Sequence, residues 1–209
     1  MKNTAITKSV QDTLTPESVL ADLMEGNNRF TSQNMQEIDH KALVEQTVGG
    51  QHPKAVVLSC IDSRVPVETI FDQAIGDIFV ARVAGNFENV DILGSMEYSC
   101  KVAGSKLVLI LGHESCGAVK AACDGVELGN ITALLSSITP AVKKSSEEVD
   151  GEASSANKEF VDQTIKNNVS LTIDRIRERS PILKEMEANG EIDIVGGVYM
   201  LSTGMVELI

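Results

Sequence analysis

Cys60, Asp62 and Arg64 stand directly behind a short apolar run, residues 55–59 (AVVLS), and His113 and Cys116 stand behind another stretch, residues 106–111 (KLVLIL), apolar from Leu107 on. Two thiols and one imidazole are donors that suit zinc, and three of them leave one position of a tetrahedral ion open. An open position is what metal catalysis requires, whereas a structural site closes itself with a fourth Cys or His. Asp62, two residues beyond one candidate ligand, can accept a hydrogen bond from whatever occupies that position. Arg64 can grip the same carboxylate in a bidentate pair that fixes its direction and keeps it ionised. Singly, these residues are weak signals: a cysteine behind a strand is more often simply buried, and a D-x-R is more often a surface ion pair or a helix cap. Their joint placement behind two apolar runs makes them a candidate Zn2+ centre.

For these side chains to meet, the two runs must lie near one another. AVVLS is short, apolar throughout and contains two adjacent β-branched residues, as expected of a strand covered on both faces in a parallel sheet. Residues 78–83 and 106–111 read the same way, and between them apolar or small side chains at 92, 93, 96, 99 and 103 have helical spacing. Strand and helix alternate, which predicts an α/β fold with a mostly parallel central sheet flanked by crossover helices. In such sheets ligands bind in the turns behind the strands, where both motifs fall. A further helix continues through AVKAA after Gly117, and the spacing of His113 and Cys116 puts both on one helical turn, aimed at a common centre.

Around this frame, Thr15-Pro16-Glu17 supplies a cap, a first-turn proline and an early acid. They predict an amphipathic helix with Val19, Leu20, Leu23 and Met24 on one face, ending at Gly26. Residues 1–50 read as an N-terminal helical arm laid on the domain or on a second subunit. Residues 143–158, with Val149 as their only large apolar side chain, read as a polar surface excursion or a fraying helix end. Val161, Ile165, Val169, Ile173 and Ile176 restore a helix face, Ser180-Pro181 stops it, and a short helix over 181–189 precedes strands over 192–199 and 205–209. With no internal repeat and no convincing linker, the 209 residues read as one domain.

Eighteen basic against thirty acidic side chains give a formal charge of −12, which repels nucleic-acid phosphate and anionic lipid, so neither is an expected partner. The longest apolar run is far too short to cross a bilayer. The start of the chain lacks the apolar stretch of a secretory signal, so the cytoplasm is the expected compartment, or the periplasm if a signal has been removed. The cysteines at 60, 100, 116 and 123 lack the close, regular spacing of a disulfide framework. Cys100 and Cys123 fall in helical contexts and read as small buried hydrophobes.

The C-x-D-S-R of Cys60, Asp62, Ser63 and Arg64, followed by G-H-x-x-C-G at 112–117, resembles the β-class carbonic anhydrases. The likeness continues through Arg82-Val83-Ala84-Gly85-Asn86, GSMEY at 94–98 and Gly196-Gly197-Val198-Tyr199. It implies a largely parallel sheet and a tight homodimer, or dimer-based oligomer, with intertwined N-terminal helices and the active site in the cleft between subunits. It also implies zinc on Cys60, His113 and Cys116, and reversible hydration of carbon dioxide to bicarbonate and a proton by attack of zinc-bound hydroxide. Asp62 and Arg64 are then the catalytic pair, and in some members of the family such an aspartate swings onto the metal as a fourth ligand in a closed state. Gln51, Phe79 and Tyr98 match cleft residues of the plant-like subgroup, where the partner subunit contributes them, and Gly117 lines the same cleft. Another subgroup holds regulatory bicarbonate partly with a tryptophan three residues before the first zinc cysteine; here Val57 stands there and the chain has no tryptophan. Two thiolates cancel the charge of the dication, leaving a weaker Lewis acid than three imidazoles would, so an alkaline optimum is expected. His52, beside Gln51, has the titration range of a proton shuttle, against which stands an ordinary solvated loop histidine. Two alternatives keep the zinc and change the outcome: hydrolysis of carbon disulfide or carbonyl sulfide, or a non-catalytic zinc or thiol sensor, which has no need of the Asp62–Arg64 pair.

Overall fold

The computed structural model describes residues 1–209. Its strands, β1 (Ala55–Ser59), β2 (Ile78–Arg82), β3 (Leu107–His113), β4 (Asp193–Tyr199) and β5 (Val206–Leu208), form one sheet in the order β2-β1-β3-β4-β5. Every pairing is parallel except that of β4 with β5. Helices α1 (Lys8–Gln11), α2 (Pro16–Thr31) and α3 (His40–Thr47) precede the sheet, and α4 (Val67–Ile70) links β1 to β2. Helix α5 (Val90–Glu97), extended by a π-helical turn at Tyr98–Val102, links β2 to β3. Helices α6 (Gly117–Cys123), α7 (Gly129–Ser136), α8 (Thr139–Glu148), α9 (Lys158–Arg179) and α10 (Pro181–Ala188) fill the connection from β3 to β4.

The apolar runs become strands because both sheet faces are covered: every residue of β1 and β3 is buried. Val56, Leu58, Val108 and Ile110 face a core completed by Val169 and Ile176 of α9 and Leu183 of α10. Ala55, Val57, Leu107 and Leu109 face the other way, onto α2 and α4. The chain leaves β1 for β2 on one side and then crosses to β3 on the other. The strand order therefore reverses between β1 and β3, and the crevice beyond their carboxyl ends is the topological switch point of the sheet.

Two local expectations change. Helix α2 runs through Gly26 to Thr31. A Cβ on Gly26 would lie 1.9 Å from the Phe71 carbonyl oxygen, so this glycine serves close approach to the end of α4 instead of terminating the helix. The next residue, Asn27, is buried and donates to the carbonyls of Ile70 and Gly204 while accepting from the Val206 N–H, which ties the second half of α2 to the sheet. Residues 143–148 belong to α8, with Ser145 fully buried, and the irregular stretch is confined to 149–157. Ahead of α2, the buried Gln11 donates to the carbonyls of Pro53 and Ala103, and Lys2 pairs with the buried Asp77, so the first residues are pinned to the rim where β1 and β2 begin.

Gly26→Ala should lower stability by about 1–3 kcal/mol, because the clash with backbone outweighs the gain in helix propensity of about 1 kcal/mol. Chemical denaturation measures this directly, and a variant more stable than the parent would contradict the close-approach reading.

Candidate metal centre

Cys60 is the first residue beyond β1 and His113 the last of β3, and Ser59 pairs with Leu111 in the register between them. Adjacent parallel strands thus deliver one sulfur and one imidazole to the same end of the sheet. Cys116 arrives differently from the single helical turn expected. It is the N-cap of α6, and Ser115 between it and His113 has φ +56°, a left-handed value uncommon outside glycine. That turn folds the chain back so that sulfur and imidazole converge. The ligand atoms of Cys60, His113 and Cys116 all lie within 4.8 Å of one another, and the three residues are buried.

His113 Nδ1 lies 2.9 Å from the Glu114 carbonyl oxygen. A carbonyl only accepts, so Nδ1 carries the proton and Nε2 presents its lone pair. Nε2 is buried without a protein partner, an arrangement that fits a metal ligand held in its tautomer by a backbone carbonyl. Cys60 Sγ accepts from the Gly85 N–H at 3.4 Å. The Cys116 thiol also donates to Cys60, which lowers the Cys60 pKa and, together with burial, pushes that of Cys116 up. A dication between the sulfurs resolves this competition by stabilising both as thiolates. Donor types, orphaned nitrogen and spacing all fit zinc.

Beside the donors, Arg64 donates from Nε to Asp62 Oδ1 at 2.9 Å and from Nη2 to Oδ2 at 2.7 Å, and its backbone N–H donates to Oδ1 at 2.9 Å. The guanidinium holds the Asp62 carboxyl well below the usual carboxylate range, and Asp62 in turn raises Arg64. Because the carboxyl pKa is depressed on folding, Asp62 is ionised at neutral and mildly acidic pH. Its Oδ2 lies 3.9 Å from His113 Nε2, facing the space between the donors.

Arg82, to which the sequence reading gave no role, closes β2 in register with Ser59. It donates from Nε to the Cys60 carbonyl at 2.7 Å and from Nη2 to the Asp62 carbonyl at 2.6 Å. It thereby clamps the segment that carries one ligand and the carboxylate. The available signal was an arginine ending an apolar strand beside the ligand-bearing strand. The backbone groups of Gly85 and Glu114 left no such signal, because every residue has them.

Of the expected cleft residues, Gly117 opens α6 next to Cys116, with open space where a side chain would be. Gln51, Phe79 and Tyr98 do not join the donors of their own chain. Phe79 pairs with Val56 near the start of the strands, Tyr98 packs edge-on against Phe79 at 6.2 Å between ring centroids, and Gln51 precedes β1. The length of β1, about 16 Å, separates that rim from Cys60. Phe79, Ala81, Val90, Ile92 and Tyr98 instead line an open groove of 760 Å³ along edge strand β2. His52 sits on the same rim, in a small recess with Ile6 and Gln46. Neither remaining cysteine joins the donor group: Cys100 is buried in another core cluster, where burial pushes its thiol up to about 12, and Cys123 is buried at the end of α6 in the cluster that also holds Cys60 and Cys116.

Three metal donors flanked by a carboxylate that is ionised at neutral pH are the equipment of a zinc enzyme that activates an oxygen nucleophile. Residues 55–206 match the family model described as carbonic anhydrase. The chain is 36% identical over 191 residues to "Carbonic anhydrase 2" of Mycobacterium tuberculosis, covering 87% of each, and 35% identical over 195 residues to a carbonic anhydrase of Mycolicibacterium smegmatis, covering 89% of each. Among solved structures, the Coccomyxa β-carbonic anhydrase in complex with acetazolamide superposes with a TM-score of 0.72 at 25% identity, over 91% of this chain and 86% of that one. The chain belongs to the carbonic anhydrase family, in its β class.

Arg64→Ala should retain one zinc per chain while carbon dioxide hydration falls by about 100-fold or more, the scale set by misplacing a catalytic group. Metal analysis alongside stopped-flow hydration checks this, and loss of zinc with the activity would assign Arg64 a purely structural role.

Proposed function

We propose that this chain catalyses the reversible hydration of carbon dioxide to bicarbonate and a proton, with zinc held by Cys60, His113 and Cys116. The observation that carries the reading is the convergence of two sulfurs and one orphaned imidazole nitrogen at the switch point of a family fold. Bound there, zinc supplies the Lewis acidity that makes a water-derived nucleophile available. Asp62, ionised and therefore only an acceptor, would take a hydrogen bond from such a nucleophile and so orient its lone pair toward the substrate carbon. Arg64 occupies the remaining acceptor sites of the carboxylate and fixes its plane, while Arg82 holds Cys60 and Asp62 as one unit. The absent side chain of Gly117 leaves room for the substrate. Because Arg64 engages both Asp62 oxygens, it would hold the carboxylate back from a metal bound between the three donors.

A second copy of the chain completes the pocket in this reading. β2 is an edge strand, and the groove beside it exposes Val90 and Tyr98. Two β2 strands set antiparallel about a two-fold axis would bring the Phe79 end of one beside the Arg82 end of the other, and so beside its metal donors. Gln51, Phe79 and Tyr98 would then line the neighbouring site, as in the plant-like subgroup. The reading takes in a reducing, cytoplasmic setting for the four unpaired thiols. No helix is long and apolar enough to cross a membrane. Neither sulfur-substrate hydrolysis nor a non-catalytic sensor gains support from fold, site or relatives.

Hydration rate measured against pH should climb from neutral to alkaline values, because the Asp62 carboxylate is already ionised and the two thiolates weaken the metal as an acid. A profile flat down to mildly acidic pH would overturn the assignment of the titrating step to the metal centre.

A further inference from the structure

The Gly85 N–H that donates to Cys60 Sγ belongs to a tight turn, closed by the Asn86 N–H donating to the Val83 carbonyl at 2.9 Å. Gly85, third in that turn, has φ +79°, as a type II turn requires. A Cβ there would lie 2.4 Å from Ile138 Cδ1, so the position admits only glycine. Glycine also leaves its two flanking peptides loosely oriented, so the place of the residue itself decides whether its N–H reaches the sulfur. From α9, the Asn168 side chain reaches the other side of the same residue and donates from Nδ2 to the Gly85 carbonyl at 2.7 Å.

Asn168 is 1% exposed, and its Oδ1 has no partner among the protein's groups. A buried amide satisfied on one side only is unfavourable for folding compared with an apolar side chain of the same size. Packing therefore does not explain an asparagine here, whereas the donation to Gly85 does. We propose that Asn168 is a positioning residue for the metal: by anchoring the Gly85 carbonyl it fixes the Gly85 Cα, from which the preceding peptide hangs, at the position where that peptide's N–H reaches Cys60 Sγ, and so sets the electron density and direction of that ligand sulfur. The inference rests on Cys60 being a zinc ligand. Such outer hydrogen bonds orient ligands and tune the ion, and their removal weakens metal affinity by roughly 10–100-fold.

The test uses the full-length chain loaded with zinc or, for spectroscopy, with cobalt(II). Asn168→Leu should weaken zinc binding, measured by chelator competition, by about 10–100-fold. It should also move the thiolate-to-cobalt charge-transfer band to longer wavelength, because Cys60 sulfur loses a donor and becomes more electron-rich. Thr164→Val is the control: it removes another fully buried polar group of α9, whose hydroxyl donates to the Phe160 carbonyl, and should leave both readouts at parent values. Asn168→Ser keeps a polar side chain while falling short of Gly85, and carries the same expectation should the leucine variant not fold. Parent-like affinity and spectrum in a folded Asn168 variant would overturn the proposal, as would equal losses in Thr164→Val, which would mean general loosening of α9. A parent protein that binds no metal would instead remove the zinc assignment itself.

Discussion

Parallel pairing of β1 with β3 is the constraint on which the site depends. With Ser59 opposite Leu111, the residue after one strand and the end of the other emerge together, at the point where the connections diverge to opposite sides of the sheet. A slip of one residue would turn every side chain of β1 to the other face and carry Cys60 away from His113. Burial resists such a slip: all of β1 and β3 is enclosed, with alternate residues committed to two different helical layers. The hydrophobic core is therefore what sets the geometry of the donors.

Around the donors, charge and hydrogen bonding divide the work. The converging donors, two sulfurs that a dication would hold as thiolates and one imidazole lone pair, together with the nearby carboxylate, all offer electron density. The cations that balance them act from outside, Arg64 on the carboxylate and Arg82 on the carbonyls of Cys60 and Asp62. Backbone groups finish the arrangement, with the Glu114 carbonyl selecting the His113 tautomer and the Gly85 N–H meeting Cys60. This outer layer is polar but uses only one side chain from beyond the immediate neighbourhood of the strands, Asn168.

How much of this could be read from the sequence follows from what each feature depends on. Strands and helices with complete apolar faces were legible, because periodicity records burial directly; the face of α9 at Val161, Ile165, Val169, Ile173 and Ile176 is buried as spaced. The approach of Cys60, His113 and Cys116 to one another was legible because they lie at or just beyond the ends of two such strands. The extent of α2 was not, since Gly26 looks like a stop until Phe71 is seen beside it. The turn at Ser115 was hidden because nothing in a serine announces a left-handed conformation. Backbone donors were invisible by nature, and Asn168 lies 83 residues from the glycine it holds. Gln51, Phe79 and Tyr98 were named by resemblance, and one chain by itself places them on the opposite rim of the sheet.

The central claim is that Cys60, His113 and Cys116 bind one zinc and leave a fourth position free. X-ray absorption at the zinc edge, on protein quantified for metal, addresses it most directly. The account predicts one zinc per chain with two sulfur neighbours, one imidazole nitrogen and one light-atom donor that exchanges with added small anions. No stoichiometric zinc, or a first shell saturated by four protein donors that small anions do not disturb, would contradict it.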